Sequence, residues 1–390
     1  MKRIVKSLSV WCMLLAITAC STSPAPSTES EAPVSNPDGQ TVVESGDLRM
    51  PDVEESTPIT YVQTDLIPSQ GLEFTSNNDG TCTIAGIGIC QDPMLVIPTE
   101  SPAGETVISI EEYAFMGLED VDSVVLLNGT YEIGQGAFSY GEMNAIYILG
   151  GAPTIGDSSF SSCEDLEVID FQNTVLQVGK NAFFGDGKDA AVTFSNCTGT
   201  LEKSSFPYSD LETLSIVDCD VTIEENAFSS CEKLTQITAQ NSTILLEDSA
   251  FWGSGDAAEV SLTDCSVTME DNVFSYGSLG SLTITGNTLE LGKNAFSNCE
   301  DLSTVTIDCP SVTIDDNSFF GCSDLLIVSI CENGRSDNDI TLEDGVFQYC
   351  DILSSVIIGD GTVETGDYLF TGCPDALSVT INGQSYIAGN

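Results

Sequence analysis

The chain has no histidine among its 390 residues, and only 10 lysines and arginines against 60 aspartates and glutamates. Without histidine no Ser-His-Asp triad, no Cys-His pair and no His-ligated zinc site can be assembled. The shortage of basic residues argues against DNA, RNA or anionic lipid as the main partner, because binding those takes clustered Lys and Arg. The 15 cysteines contain no C-x-x-C pair, so a sulfur-ligated metal centre lacks its usual spacing. What survives these absences on the catalytic side is carboxylate-only chemistry, such as a glycosidase dyad.

What is present is a repeated frame. The stretch Leu289 to Ile307, LELGKNAFSNCEDLSTVTI, carries Phe296, then Cys299, Leu302, Val305 and Ile307, with Leu289 and Leu291 ahead of it. The frame returns around Phe115, Phe138, Phe160, Phe183, Phe206, Phe228, Phe251, Phe274, Phe296, Phe319, Phe347 and Phe370, in steps of 23, 22, 23, 23, 22, 23, 23, 22, 23, 28 and 23 residues. A period of that size predicts a solenoid, in which each coil buries its apolar face against its neighbours. At 41% hydrophobic residues the chain is too apolar for disorder, so its formal charge of −50 belongs on the outside of a folded body.

Residues 1–19 open on Lys2, Arg3 and Lys6 and continue with an apolar run from Leu8 to Ile17, too short to span a bilayer. They read as a secretory signal peptide. Ile17-Thr18-Ala19-Cys20 resembles a bacterial lipobox, which implies Cys20 as the lipidated first residue of the mature chain; the alternative is ordinary cleavage near Ala19. Losing three basic residues leaves 7 − 60 = −53. Residues 20–58, rich in Ser, Thr, Pro and Glu, read as a disordered tether.

Residues 59–105 read as a β-rich N-terminal cap, with a turn at Asn77-Asn78-Asp79-Gly80. Residues 106–382 hold about twelve coils and 383–390 a C-terminal cap. Apolar residues alternate ahead of each Phe (Ile108/Ile110, Val221/Ile223, Val267/Met269, Val312/Ile314) and behind it (Val124/Leu126, Val305/Ile307, Val328/Ile330, Val356/Ile358). Period-two alternation of β-branched residues predicts short parallel strands, one face buried, stacked at about 4.8 Å per coil. The AFxxCxxL segment between strands is expected to form one turn of helix. The fold class is therefore mainly β.

A longer period of 68 residues, three coils, also shows. Phe184, Trp252 and Phe320 recur at that distance, one residue after their Phe, as do Tyr140, Tyr208 and Tyr276, two residues after theirs.

The motif small-F-x-x-C-x-x-L-x-x-(I/V)-x-(I/L) resembles the BspA-like leucine-rich-repeat family of bacterial surface proteins, over roughly Gly71 to Ile381. The resemblance implies a leucine-rich-repeat solenoid, exported to the cell surface, that acts as a binding module or adhesin for host or microbial proteins or glycans. From the residues themselves no enzyme activity and no cofactor are expected, and membrane association through the lipid anchor alone. A non-catalytic acidic coat and a carboxylate-based glycan hydrolase are the other readings left open.

Three groups of residues are candidates for function. Cys163, Cys231, Cys299, Cys322, Cys350 and Cys373 share one slot, and Cys197, Cys219, Cys265, Cys309 and Cys331 another; both read as ladders of mostly reduced, buried thiols, with Cys82–Cys90 the expected disulfide. Glu224, Glu225, Glu247, Asp248, Glu270 and Asp271 stack like charges in consecutive coils, which invites calcium or plain solvation. Phe184, Trp252, Phe320, Tyr140, Tyr208 and Tyr276 form the best candidate contact surface, either exposed or tucked beneath neighbouring coils.

Overall fold

The structure, a computed structural model, describes residues 66–332 and 334–387. The expected leader, Cys20 and the tether lie outside the described residues. Those described belong to one compact unit, Tyr61–Asn390. All regular structure among them is β: twenty-five strands and no helix.

Each coil lays down a strand, turns at its Phe and lays down a second strand. Strands ahead of the Phe pair in parallel from coil to coil, with Val221 beside Ile244, Ile244 beside Val267, Val267 beside Leu289 and Leu289 beside Val312. Strands behind it do the same, from Leu214 through Ile237, Val260, Leu282 and Val305 to Val328. We call these the leading and trailing sheets. Strands Val168–Val178, Ala258–Met269 and Leu279–Leu291 run unbroken from the trailing sheet around the corner into the next coil's leading sheet. Inward residues such as Val305, Ile307, Val312 and Ile314 are buried, as their alternation requires.

The alternation fails at one of the expected pairs. Of the expected pair Ile108/Ile110, Ile110 is buried but Ile108 is 44% exposed, and Val107 takes the core position. A bulge opposite Cys82/Thr83 shifts the register there.

The segment around each Phe is not helical. Residues two before and two after the Phe have positive φ: Asn226 and Ser230 at 58° each, Asn272 at 58° and Tyr276 at 61°. Alternating right- and left-handed residues cannot continue a helix. They turn the N–H groups toward the next coil instead: Asn226 donates to Asp248 O at 3.3 Å, Phe228 to Ala250 O at 2.7 Å and Ser230 to Trp252 O at 2.9 Å. The turn side is thus a third hydrogen-bonded ladder. Asn181, Asn226, Asn272, Asn294 and Asn317 occupy the earlier position because Asn tolerates that conformation. Inside, the Phe rings stack in one column, with centroids 4.5 Å apart and planes within 4° for Phe183–Phe206, and 5.0 Å and 6° for Phe228–Phe251.

Strands Thr81–Gly86 and Met94–Ile97 pair in parallel with Thr106–Ile110 and Ser123–Gly129, so a coil without a Phe precedes the twelve that have one. An antiparallel strand closes each end: Glu73–Ser76 on the first leading strand, Gln384–Ile387 on Ser378–Ile381 of the last trailing strand. A smaller apolar cluster, Val96, Val125, Ala145, Tyr147 and Leu149, lies apart from the main core, with Leu66 packed on it.

All thirteen described cysteines are free. The expected Cys82–Cys90 bridge is absent: Cys82 faces the core with Sγ on Glu105 O at 3.7 Å, while Cys90 sits in a turn closed on Ile87 O. The repeated slot three after the Phe has a specific chemistry. Its side chain donates to the Phe carbonyl one coil back, as in Cys231 to Phe206 O (3.2 Å), Cys299 to Phe274 O (3.1 Å), Ser209 to Phe183 O and Ser254 to Phe228 O (2.6 Å each). Ser254 also accepts the Cys231 N–H at 3.0 Å.

Asp186 fills this slot in the Phe183 coil, fully buried. Its Oδ1 accepts the Cys163 N–H at 2.7 Å, but its Oδ2 has no partner. The slot calls for a donor, which a carboxyl supplies only when protonated, and burial pushes its pKa well up. A raised folded-state pKa means stability that is full below the unfolded value, near 3.9, and lost as pH rises toward the folded one. Asp186→Ser should therefore stabilise the fold at pH 7 by about 1–3 kcal/mol, the cost of a buried unsatisfied polar group. The gain should shrink as denaturant melts are moved toward pH 4.

Candidate binding ridge on the turn face

The turn geometry decides where the candidate aromatics go. With the Phe turned inward, the residue after it points out, and the next sits in the left-handed region. Tyr140, Tyr208 and Tyr276 are 60%, 63% and 62% exposed, Phe184 and Trp252 41% and 44%, and Phe320 is half-buried.

The two aromatic series, separate in sequence, meet in space. The outward residue of one coil packs edge-on against the Tyr of the next: Phe184 on Tyr208 (5.8 Å, 60°), Trp252 on Tyr276 (6.0 Å, 61°) and Phe320 on Tyr349 (5.2 Å, 71°). Tyr349 is missed by a count in residues, because the longer 28-residue step from Phe319 to Phe347 displaces it; a count in coils finds it. Tyr140 falls in the same slot, with Met116 rather than an aromatic in the corresponding place one coil back. The pairs repeat every third coil, about 14–15 Å apart.

These tyrosines hold an unfavourable backbone. Tyr140, Tyr208, Tyr276 and Tyr349 have φ of 57–61°, where other coils place Gly117, Gly185, Gly253, Gly321 or Asn298. A bulky residue there costs about 1–2 kcal/mol. Rings that stay 50–63% exposed gain little from burial to offset that cost.

The acidic columns lie on the same turn, three and four residues ahead of the Phe. Several carboxylates act as backbone acceptors between coils: Glu224 Oε2 takes the Lys203 N–H at 3.2 Å, Asp271 Oδ1 the Lys293 N–H at 2.8 Å and Asp344 Oδ1 the Asp367 N–H at 2.7 Å. Glu225 pairs with Lys203 Nζ at 2.7 Å. Glu247 is half-buried, while Asp248 and Glu270 are exposed. Among the described residues no group of three or more His, Cys, Asp or Glu is placed to hold a metal ion. A shallow groove on the outer face of the trailing sheet, lined by Ser215, Thr238, Gln240, Ser261 and Thr263, contains no carboxylate.

Residues 99–209, 199–326 and 335–390 match the family model of the BspA type leucine rich repeat region, in six copies. No curated protein matches the chain. Three solved structures are similar. A leucine-rich repeat protein from Bacteroides ovatus is 21% identical over 80% of this chain and 81% of its own, with a TM-score of 0.44. A leucine rich repeat protein of T. pallidum is 16% identical over 80% and 92%, with a TM-score of 0.19. A leucine rich cell surface protein from Faecalibacterium prausnitzii is 15% identical over 77% and 95%, with a TM-score of 0.23.

Burial first, then the like charges of Glu224 and Glu270, raise the pKa of Glu247. The folded state thus holds this proton more tightly than the unfolded chain, and stability falls as pH rises through the folded pKa. Glu247→Gln should raise stability at pH 7 by about 0.5 kcal/mol or less, since the site is partly solvated. In thermal melts at pH 4 the variant and the parent should coincide.

Proposed function

This chain belongs to the BspA type leucine-rich repeat family, and from that premise we propose that it is a non-catalytic binding module displayed on a bacterial surface. It acts as an adhesin, gripping an extended protein or glycan along its turn face. The observation that carries this reading is the set of edge-on aromatic pairs Phe184/Tyr208, Trp252/Tyr276 and Phe320/Tyr349 at every third coil. Aromatic side chains dominate the energetics of binding surfaces, and here they are mounted on a hydrogen-bonded scaffold that loses little entropy on association. Equal spacing suits a partner that is itself repetitive, so that each further contact is made at high effective concentration. The charged leader, the short apolar run and Cys20 support display by an N-terminal lipid anchor.

Binding of the chain to an array of glycans and matrix proteins, with calcium and with chelator, tests the proposal. A discrete ligand is expected, and Trp252→Ala should weaken it about tenfold or more, with the melting temperature nearly unchanged because the indole is 44% exposed. Silence across the array, or binding indifferent to Trp252→Ala, would overturn the ridge and leave an acidic coat as the better description.

A further inference from the structure

Twelve of the thirteen described thiols are either buried or stand outside the stacked ladders; one ladder thiol is half-exposed. That thiol is Cys373, in the slot three after Phe370. The same slot one coil earlier is Cys350, fully buried. Their turns are held in register by three hydrogen bonds, Gly345 N–H to Asp367 O (2.9 Å), Phe347 N–H to Leu369 O (3.0 Å) and Tyr349 N–H to Thr371 O (2.9 Å), the last one residue ahead of Cys350. Equivalent Cα atoms of bonded neighbouring chains lie about 4.8 Å apart, inside the roughly 4.4–6.8 Å range of disulfides. Both sulfurs point toward the preceding coil, Cys373 to Phe347 O (3.0 Å) and Cys350 to Phe319 O (3.3 Å).

We propose that Cys373 and Cys350 form a thiol–disulfide site, in which Cys373 meets a small disulfide oxidant and Cys350 resolves it, stapling the last two Phe coils together. Cys373 thiolate attacks one sulfur of the oxidant and releases a small thiolate. Cys350 thiolate then attacks the Cys373 sulfur of the mixed disulfide and releases the second. Two protein thiols are oxidised, the oxidant is reduced to two thiols, and the two protons leave with them. Interaction between the two neighbouring side chains lowers the Cys373 pKa and raises that of Cys350, so the accessible member is also the better nucleophile. The staple falls where the ring column is loosest: Phe347–Phe370 centroids are 5.8 Å apart, against 4.5 Å at Phe183–Phe206.

The molecule contains its own comparators. Cys197 and Cys219 are a similarly stacked pair, with the Cys197 N–H on Cys219 Sγ at 3.3 Å, but both are buried. Cys90 is half-buried and has no stacked cysteine beside it in the repeat frame. The full chain would be incubated with oxidised glutathione under native conditions, its remaining thiols alkylated, and its peptides mapped by mass spectrometry. A Cys350–Cys373 cross-link should form about tenfold or more faster than any Cys197–Cys219 cross-link, and should raise the melting temperature by about 2–6 °C. Cys350→Ser should halt the reaction at a Cys373–glutathione mixed disulfide, and Cys373→Ser should abolish it. Both variants should fold, because Ser209 and Ser254 already fill this slot as donors. A wild-type chain that stops at the mixed disulfide, or in which Cys373 reacts no faster than Cys197 and Cys219, would sink the proposal.

Discussion

One spacing governs this molecule. Hydrogen bonds between parallel strands fix the rise at about 4.8 Å per coil, and every other ladder must accept it. The Phe column does so with face-to-face rings, 4.8 Å apart and within 12° of parallel at Phe115–Phe138 and 5.2 Å and 4° at Phe296–Phe319. The turn backbone does so by alternating handedness, so that its N–H groups reach the next coil at the same interval. A coil that failed on any of these sides would leave unpaired backbone groups facing the core, which is why one frame recurs at nearly constant length. Where length is added, between Phe319 and Phe347, it is confined to a loop around Glu332 and Gly334, and the rings still stack at 5.5 Å.

The same constraint explains why particular residue types recur. Slots two before and two after the Phe need positive φ, which gives Asn, Gly and Ser. In eight of the twelve coils the slot three after holds a small donor for the carbonyl one coil back, Cys or Ser. Acidic residues ahead of the Phe accept backbone N–H groups of the neighbouring coil, as Asp157 does for Lys180 at 3.0 Å. The cysteine and acidic ladders are thus largely consequences of stacking. The tyrosines at positive φ are not, since Gly or Asn would satisfy the backbone better. Departures from the frame that cost stability carry more functional information than the frame itself.

The frame and the strand faces were legible in the sequence, because a buried Phe every 22 or 23 residues and flanking period-two alternation leave one solution. The turn was not. AFxxCxxL has the spacing of a helical turn, and the contrary signal lay in Asn294 and Asn298, which straddle Phe296 at the left-handed positions. Alternation places Ile108 inward because a bulge leaves no mark on it. The aromatics were found individually, but their pairing was not, since it joins residues one coil apart and out of phase by one. Asp186 went unnoticed because a lone acid in a cysteine slot stands out only once that slot is known to be buried.

Charge narrows what can lie on the ridge. The ion pairs among the described residues are largely exposed and join Lys203, Lys233, Lys293 and Arg335 to single or paired carboxylates, and the formal charge of −50 already counts these cations. Such pairs contribute little to stability, so the excess is a property of the surface rather than of the fold. Trp252 and Tyr276 rise from a turn whose preceding residues are Glu247, Asp248, Glu270 and Asp271, and Phe320 and Tyr349 from one flanked by Asp315, Asp316, Glu343 and Asp344. An anionic polymer approaching either pair meets like charge, within a screening length of about 8 Å at physiological salt. A neutral polymer meets apolar ring faces with carboxylate acceptors beside them, and a cationic one meets attraction from both rings and carboxylates. Under the proposed adhesin reading, the partner that suits this ridge is neutral or basic, extended, and long enough to reach from one aromatic pair to the next.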